Sequence, residues 1–208
     1  MPDGTPVPPQ AVQSIIAAGR RMDDRGWVPA TAGNISLRLP GGDIAITSSG
    51  GHKGFLTPEG VMRVDPDGRP LTEGGRPSAE TLLHCQIYRL FAEAGAVLHG
   101  HSVAGTVLSM ALADESKLVF AGYEVQKAFD GQTTHEAALD LPIFDNDQDI
   151  PRLAGRIEAR LRQGAPLGYL IRGHGVYVWG PDMPVALARL EGLEFLLACA
   201  LERRKLPP

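Results

Sequence analysis

GAVLHGHSVAGTVLS, residues 95–109, places two histidines one residue apart at the end of an apolar run. The run opens at Gly95 and is followed by the helix-like SVAGTVLSMAL, so it predicts a short buried strand leading into a helix. Side chains alternate across a strand, which points His99 and His101 to the same face. Two imidazoles presented in parallel from a rigid strand suit a metal ion, which takes neutral nitrogen donors converging from fixed directions. The plainer alternative is a pair of polar residues at a strand end, each bonded to backbone, because a His-x-His spacing is short enough to arise by chance.

The whole chain sets the frame for such a site. At 208 residues with 43% hydrophobic side chains, it has the size and core of one large domain over 1–208, with 1–9 and 205–208 expected as frayed tails. A net charge of -4, from 20 basic and 24 acidic residues, excludes a general attraction to nucleic acid or anionic membrane. Any phosphate binding must therefore be local. The opening MPDGTPVPPQ has no apolar targeting core, and no segment approaches the roughly 20 apolar residues of a membrane span. These features point to a cytoplasmic protein. Cys85 and Cys199 lie far apart in helix-like patterns without a Cys-x-x-Cys, which suits reduced, buried thiols rather than a disulfide framework.

Working outward from residue 95, the elements alternate without internal repeats. Pro8 and Pro9 precede a helix from about Gln10 to Arg25, with Val12, Ile15, Ile16, Gly19 and Met22 on one face. NISLRLPGGDIAIT reads as a hairpin, and the strand-like VMRV is followed by a DPDG turn at 65–68. Pro77 and Ser78 are expected to open a helix, Ser78 as its N-cap and Leu82, Leu83, Gln86, Ile87, Leu90 and Phe91 as its stripe. Beyond the histidine strand, a helix covers Ser102 to Leu112 and a less regular stretch runs to Asp149. Pro151 then opens a helix, GYLIRGHGVYVWG reads as strand, tight turn and strand, and a long helix closes the chain from about Met183 to Arg204. The pattern predicts an α/β layered domain, a central and mainly antiparallel β-sheet flanked by helices.

Position separates the remaining histidines. His174, in RGHGVYVWG, has glycines on both sides that free its backbone and leave the ring unobstructed, so it is the candidate third ligand. Three imidazoles on Zn²⁺ or a similar ion leave a position open for substrate, the mark of a catalytic rather than a structural site. His84 lies beside an apolar stripe and reads as a core or surface residue rather than a ligand; His52 and His135 are loop residues that either touch substrate or are solvated. TAGNIS at 31–36 and TSSGGHKG at 47–54 combine glycine with short hydroxyl and amide side chains, the composition of an anion site, and Lys53 adds charge. Ser78 at a helix N-terminus would favour a phosphate too. No Walker or dinucleotide pattern is present. Taken singly, each of the three segments is an ordinary turn or cap; together, beside a metal candidate, they suggest a phosphorylated ligand.

TAGNIS, RPSAETLLHCQIYRLFAEAGAVLHGHS and RGHGVYVWG resemble, in order and spacing, the class II aldolase/adducin family of metal-dependent sugar-phosphate enzymes, over about Ala11 to Leu201. The resemblance implies a class II aldolase-like fold, a divalent metal, zinc first, held by His99, His101 and His174, and phosphate contacts from Asn34, from Ser48, Ser49 and Gly50, and from Ser78. Within the family, GYEVQKAFDGQTTH and GHGVYVWG are most similar to members that dehydrate a thiomethylated pentulose phosphate in methionine salvage, which implies Glu124 as the acid/base. Glu80, in PSAET, matches the glutamate used by the aldolases, so an aldolase or epimerase on another sugar phosphate stays the rival reading, with Glu80 as base, metal ligand or neighbour of the ligands. Ala79 replaces the second serine of the usual aldolase phosphate segment. A non-catalytic scaffold, as adducin is, is the third reading, and the retained histidines argue against it. The family further implies a homo-oligomer, a tetramer with sites between subunits, acting on a small sugar phosphate, without nucleic acid or membrane as partner.

Overall fold

The alternation in NISLR, the buried IAIT and the apolar run of AVLHG form three adjacent strands of one eight-stranded sheet. The computed structural model describes residues 6–207; residues 1–5 and 208, part of the expected tails, lie outside the described residues. The strands are β1 (Asn34–Arg38), β2 (Ile44–Thr47), β3 (Val61–Val64), β4 (Ala96–Gly100), β5 (Lys117–Phe120), β6 (Leu139–Phe144), β7 (Tyr169–Ile171) and β8 (Val176–Gly180). They lie in the order β3-β2-β1-β4-β8-β7-β6-β5. Every neighbouring pair is antiparallel except β6 with β7. A parallel pair needs a crossover, and helix α4 (Ile150–Leu161) supplies it.

Strand parity sorts the side chains into two cores. Ile35, Leu98, Leu170 and Val178 face helices α1 (Pro9–Asp24), α3 (Val103–Ala111) and α5 (Met183–Arg203). Ile46, Val97, Tyr169, Tyr177 and Trp179 face α4 and helix α2 (Thr81–Leu90) on the other side. His99, two residues beyond Val97, shares the α2 side, so the N-terminus of α2 arrives above it. On the opposite face, Leu190, Leu193, Leu196 and Leu197 of α5 are fully buried. Burying each such side chain is worth about 1.5–3 kcal/mol, which makes the last helix a core element. Phe195 on its outer side stays 55% exposed.

The chain departs from the sequence reading between Leu112 and Asp149, at the start of α2, and along the α2 stripe, where Leu82 is exposed and Phe91 lies past the helix end. The stretch between Leu112 and Asp149 carries β5 and β6 rather than only irregular structure. Its signal was weak: β5 is a four-residue edge strand, and Pro142 interrupts the β6 pattern. Helix α2 starts at Thr81 with Glu80 as N-cap, not at Ser78. Ser78 instead heads the preceding turn, its Oγ accepting from the Glu80 N–H at 3.3 Å and its carbonyl from the Thr81 N–H. Ser102, at the start of α3, is the N-cap, accepting from the Gly105 N–H at 3.0 Å.

Candidate metal centre

Two chain segments meet to form the histidine cluster. β4 ends at Gly100, and the His101 N–H donates to the Trp27 carbonyl at 2.7 Å, which turns the chain into α3 and sets His101 beside His99. The tight turn between β7 and β8 brings His174 alongside, with Ile171 N–H on the Gly175 carbonyl at 2.9 Å and His174 N–H on the Ile171 carbonyl at 3.0 Å. That turn closes on β4 only because residue 175 is glycine: a Cβ there would lie 2.2 Å from the Gly100 carbonyl oxygen. One ring nitrogen from each of His99, His101 and His174 lies within 4.8 Å of the other two. The structure thus gathers the three histidines that the spacing singled out.

The donor chemistry fits a divalent cation. His99 is fully buried, and its Nδ1 lies 2.9 Å from the Val176 carbonyl. A carbonyl only accepts, so Nδ1 is the donor there and Nε2 is the nitrogen left to face an ion. Nε2 of His99 and Nε2 of His101 are buried with no hydrogen-bond partner, a costly state unless something accepts their lone pairs. Burial, reinforced by His99 and His174, pushes the His101 imidazolium down to about 3, so that ring is neutral, as a metal ligand must be.

Glu80 completes the cluster. Its Oε1 lies 2.8 Å from Nε2 of His174 and 3.7 Å from Nε2 of His99, and its Oε2 accepts from the Asn34 side-chain amide. Burial works to raise this carboxyl, but the contacts with His174 and His99 outweigh it and hold the group well below the usual carboxylate range. A permanent negative charge therefore sits among three imidazoles. Asn34, directly opposite His99 across β1 and β4, reaches that carboxylate rather than standing free in its loop.

The three segments with anion-site composition converge beside Glu80. The Lys53 ammonium donates to the carbonyls of Thr31 and Gly51 at 2.7 Å each, tying TAGN to SSGG, and the Ser49 N–H donates to the Arg76 carbonyl at 2.9 Å, tying SSGG to the turn that holds Ser78. Ser48 is half-buried at the end of β2, whereas Ser49 and Gly50 are exposed, Gly50 with a φ of +83°. Glu124 lies elsewhere. It begins the short 3-10 turn Glu124–Ala128, is 72% exposed, and contacts Lys127 at 2.5 Å and His135 at 3.8 Å. Among the described residues, no hydrogen bond or ion pair links it to the histidines or to Glu80 within the protomer.

His84, read as a core or surface residue, lies in the core: it is fully buried, its Nδ1 2.8 Å from the Ser36 hydroxyl. His52 caps the turn at Lys53–Phe55, accepting from the Gly54 N–H at 3.2 Å. Cys85 and Cys199 are free thiols, Cys85 buried and Cys199 partly so. No helix among the described residues is long and apolar enough to cross a membrane.

Comparison with known proteins matches this arrangement to a family. The sequence pattern described as "Class II Aldolase and Adducin N-terminal domain" matches residues 13–201. This chain belongs to the class II aldolase and adducin family. Within that class II aldolase family, a methylthioribulose-1-phosphate dehydratase of Granulibacter bethesdensis is 68% identical over 204 residues, covering 96% of this chain and 95% of that one. A protein of the same name from Gluconacetobacter diazotrophicus is 66% identical over 195 residues, covering 94% of each. The class II aldolase fold itself is matched by the solved L-fuculose-1-phosphate aldolase of Thermus thermophilus, with a TM-score of 0.75 and 26% identity, covering 94% of this chain and 95% of that one.

Proposed function

We propose that this chain is a metal-dependent hydro-lyase converting 5-methylthioribulose 1-phosphate into 5-methylthio-2,3-dioxopentyl phosphate and water, a step of methionine salvage in the cytoplasm. The observation that carries the reading is the 68% identity, over almost the whole of both chains, to a methylthioribulose-1-phosphate dehydratase. The convergence of His99, His101 and His174 supports it from the side of chemistry.

His99, His101 and His174 hold the cation, which we assign as zinc because three neutral imidazoles with a position left open are a set zinc uses in catalysis. When bound, it supplies a Lewis acid that stabilises the negative charge developing on the sugar's oxygens as the C3 proton leaves. Asn34, Ser48, Ser49, Gly50 and Ser78 orient the phosphate through short donors and backbone N–H groups. Glu80, ionised and fixed by Asn34, sets the charge behind the histidines. Glu124 delivers the proton that lets the C4 hydroxyl depart as water, since hydroxide is a poor leaving group.

Because, among the described residues, no hydrogen bond or ion pair joins Glu124 to His99, His101 or His174 of its own protomer, the active group is Glu124 of the partner subunit, in a homotetramer with sites between subunits. Its exposure supports this, as does the open cleft beside it, which Val125 shares with Trp27 and the half-exposed Phe195. One observation favours a second reading, aldol cleavage with Glu80 as base: the Glu80 carboxylate, not Glu124, stands beside His174.

The deciding assay gives purified, metal-analysed protein 5-methylthioribulose 1-phosphate and, in parallel, L-fuculose 1-phosphate. Diketone formation abolished by a chelator is the expected result. Cleavage of the second sugar without turnover of the first would make this an aldolase.

A further inference from the structure

Behind the histidine cluster runs a ladder of rings that the proposed chemistry does not use. His99 and Tyr177 face each other across β4 and β8, and Tyr177 and Tyr169 across β8 and β7. The His99 and Tyr177 rings stack with centroids 4.0 Å apart at 14°, and Tyr177 and Tyr169 stack at 4.8 Å and 13°. Phe144 meets Tyr169 edge-on at 5.7 Å, and His84 meets Tyr177 edge-on at 5.6 Å. His99, Tyr177, Tyr169 and His84 are all fully buried. Among the described residues, His101 and His174 pack their rings only against other histidines.

Among the described residues, the His99 ring has one hydrogen bond, from Nδ1 to the Val176 carbonyl, and its Nε2 lies 3.7 Å from the Glu80 carboxylate. That bond restrains the ring through Nδ1 but tolerates a broad range of angles, so the ring keeps some freedom to rotate about Cβ–Cγ. A metal ligand needs more, because the Nε2 lone pair lies in the ring plane and must point at the ion. The face of Tyr177 supplies the missing restraint. The hydroxyls of Tyr177 and Tyr169 are buried with no protein partner, so the rings, not their oxygens, do the holding. We infer that Tyr177, backed by Tyr169, is a positioning residue that fixes the plane of the His99 imidazole and thereby the direction in which Nε2 presents its lone pair. The inference rests on reading the three histidines as a metal site.

The test uses Co²⁺ as the bound ion, since its visible bands report ligand geometry, on full-length protein with and without substitutions. Chelator competition gives the dissociation constant and thermal melting checks the fold. Tyr177→Phe keeps the stacked ring and should leave both bands and affinity at wild-type values. Tyr177→Leu removes the ring and should shift the bands and weaken Co²⁺ binding by about 10–100-fold, the usual effect of losing a group that orients a ligand. Should Tyr177→Leu not fold, Tyr169→Leu, one strand farther from the histidines, carries the test through a smaller shift in the same direction. Folded leucine variants with unchanged bands and affinity would overturn the positioning role alone. A wild-type protein that binds no Co²⁺ would overturn the metal reading, and this inference with it.

Discussion

Oε1 of Glu80 lies 2.8 Å from Nε2 of His174, while Oε2 of the same carboxylate is held by Asn34. The group is thus fixed at both oxygens and kept ionised, a negative charge built into a pocket of imidazoles. Glu80→Gln keeps the shape and removes the charge. Chelator competition should show metal affinity weakened by about tenfold or more, as for other groups that support metal ligands. Equal affinity would mean that the carboxylate serves the fold alone. Since Glu80 is held below the usual carboxylate range, the acid limb of the activity profile should not move in this variant.

Glu124→Gln should lower turnover by about 10²–10⁴-fold, the usual worth of a positioned acid, with metal content intact. His99→Ala should lose metal and activity. If Glu124 serves the site of a partner subunit, exchanging subunits between these two inactive variants creates mixed oligomers in which some sites have both groups, and activity returns. A mixture that exchanges subunits, as native mass spectrometry would show, yet stays inactive would sink the shared-site reading.

The parts of this molecule legible in the sequence were those set by local rules. Period-two alternation and the Pro40–Asp43 turn gave the β1–β2 hairpin, and glycines around His174 gave the turn that brings it to β4. Contacts between distant segments were not legible. Nothing local says that Asn34 reaches Glu80, 46 residues away, or that Tyr177 lies on His99, because both depend on which strands become neighbours. In LDLPIF, Pro142 and Asp140 interrupt the apolar residues and hid β6.

Lys53 holds two loops at once. Lys53 is 1% exposed, its ammonium is bonded to the carbonyls of Thr31 and Gly51, and its backbone oxygen is packed so closely on Gly19 of α1 that a Cβ there would come within 2.2 Å. Lys53→Met keeps the stem and removes the clamp. Hydrogen bonds from charged groups are worth about 1.5–3 kcal/mol each, so the melting temperature should fall. Because the loosened loops hold Asn34, Ser48, Ser49 and Gly50, KM for the phosphorylated substrate should rise more than kcat falls, and inorganic phosphate should inhibit less strongly. Unchanged inhibition by phosphate in a folded variant would separate Lys53 from the phosphate loops.

Glu194 makes stability depend on pH in a direction unusual for a carboxylate. It is 3% exposed on α5, both oxygens lack a partner in normal hydrogen-bonding geometry, and burial pushes its carboxyl up to about 7, an effect the Ser102 hydroxyl only partly offsets. Unfolded, the same group titrates near its ordinary 4.5. Between those values the folded chain keeps the proton and the unfolded chain has lost it, so stability falls as pH rises through the window, by on the order of 3 kcal/mol in all. Glu194→Gln mimics the protonated form at every pH. At pH 4, below both values, the variant and the wild type should therefore melt together. By pH 8 the variant should melt higher by on the order of 5–10 °C, given the size of the chain. Taking the difference between the two proteins cancels every other titrating group, so a gap that stays flat from pH 4 to 8 would show that this carboxyl ionises normally inside the fold.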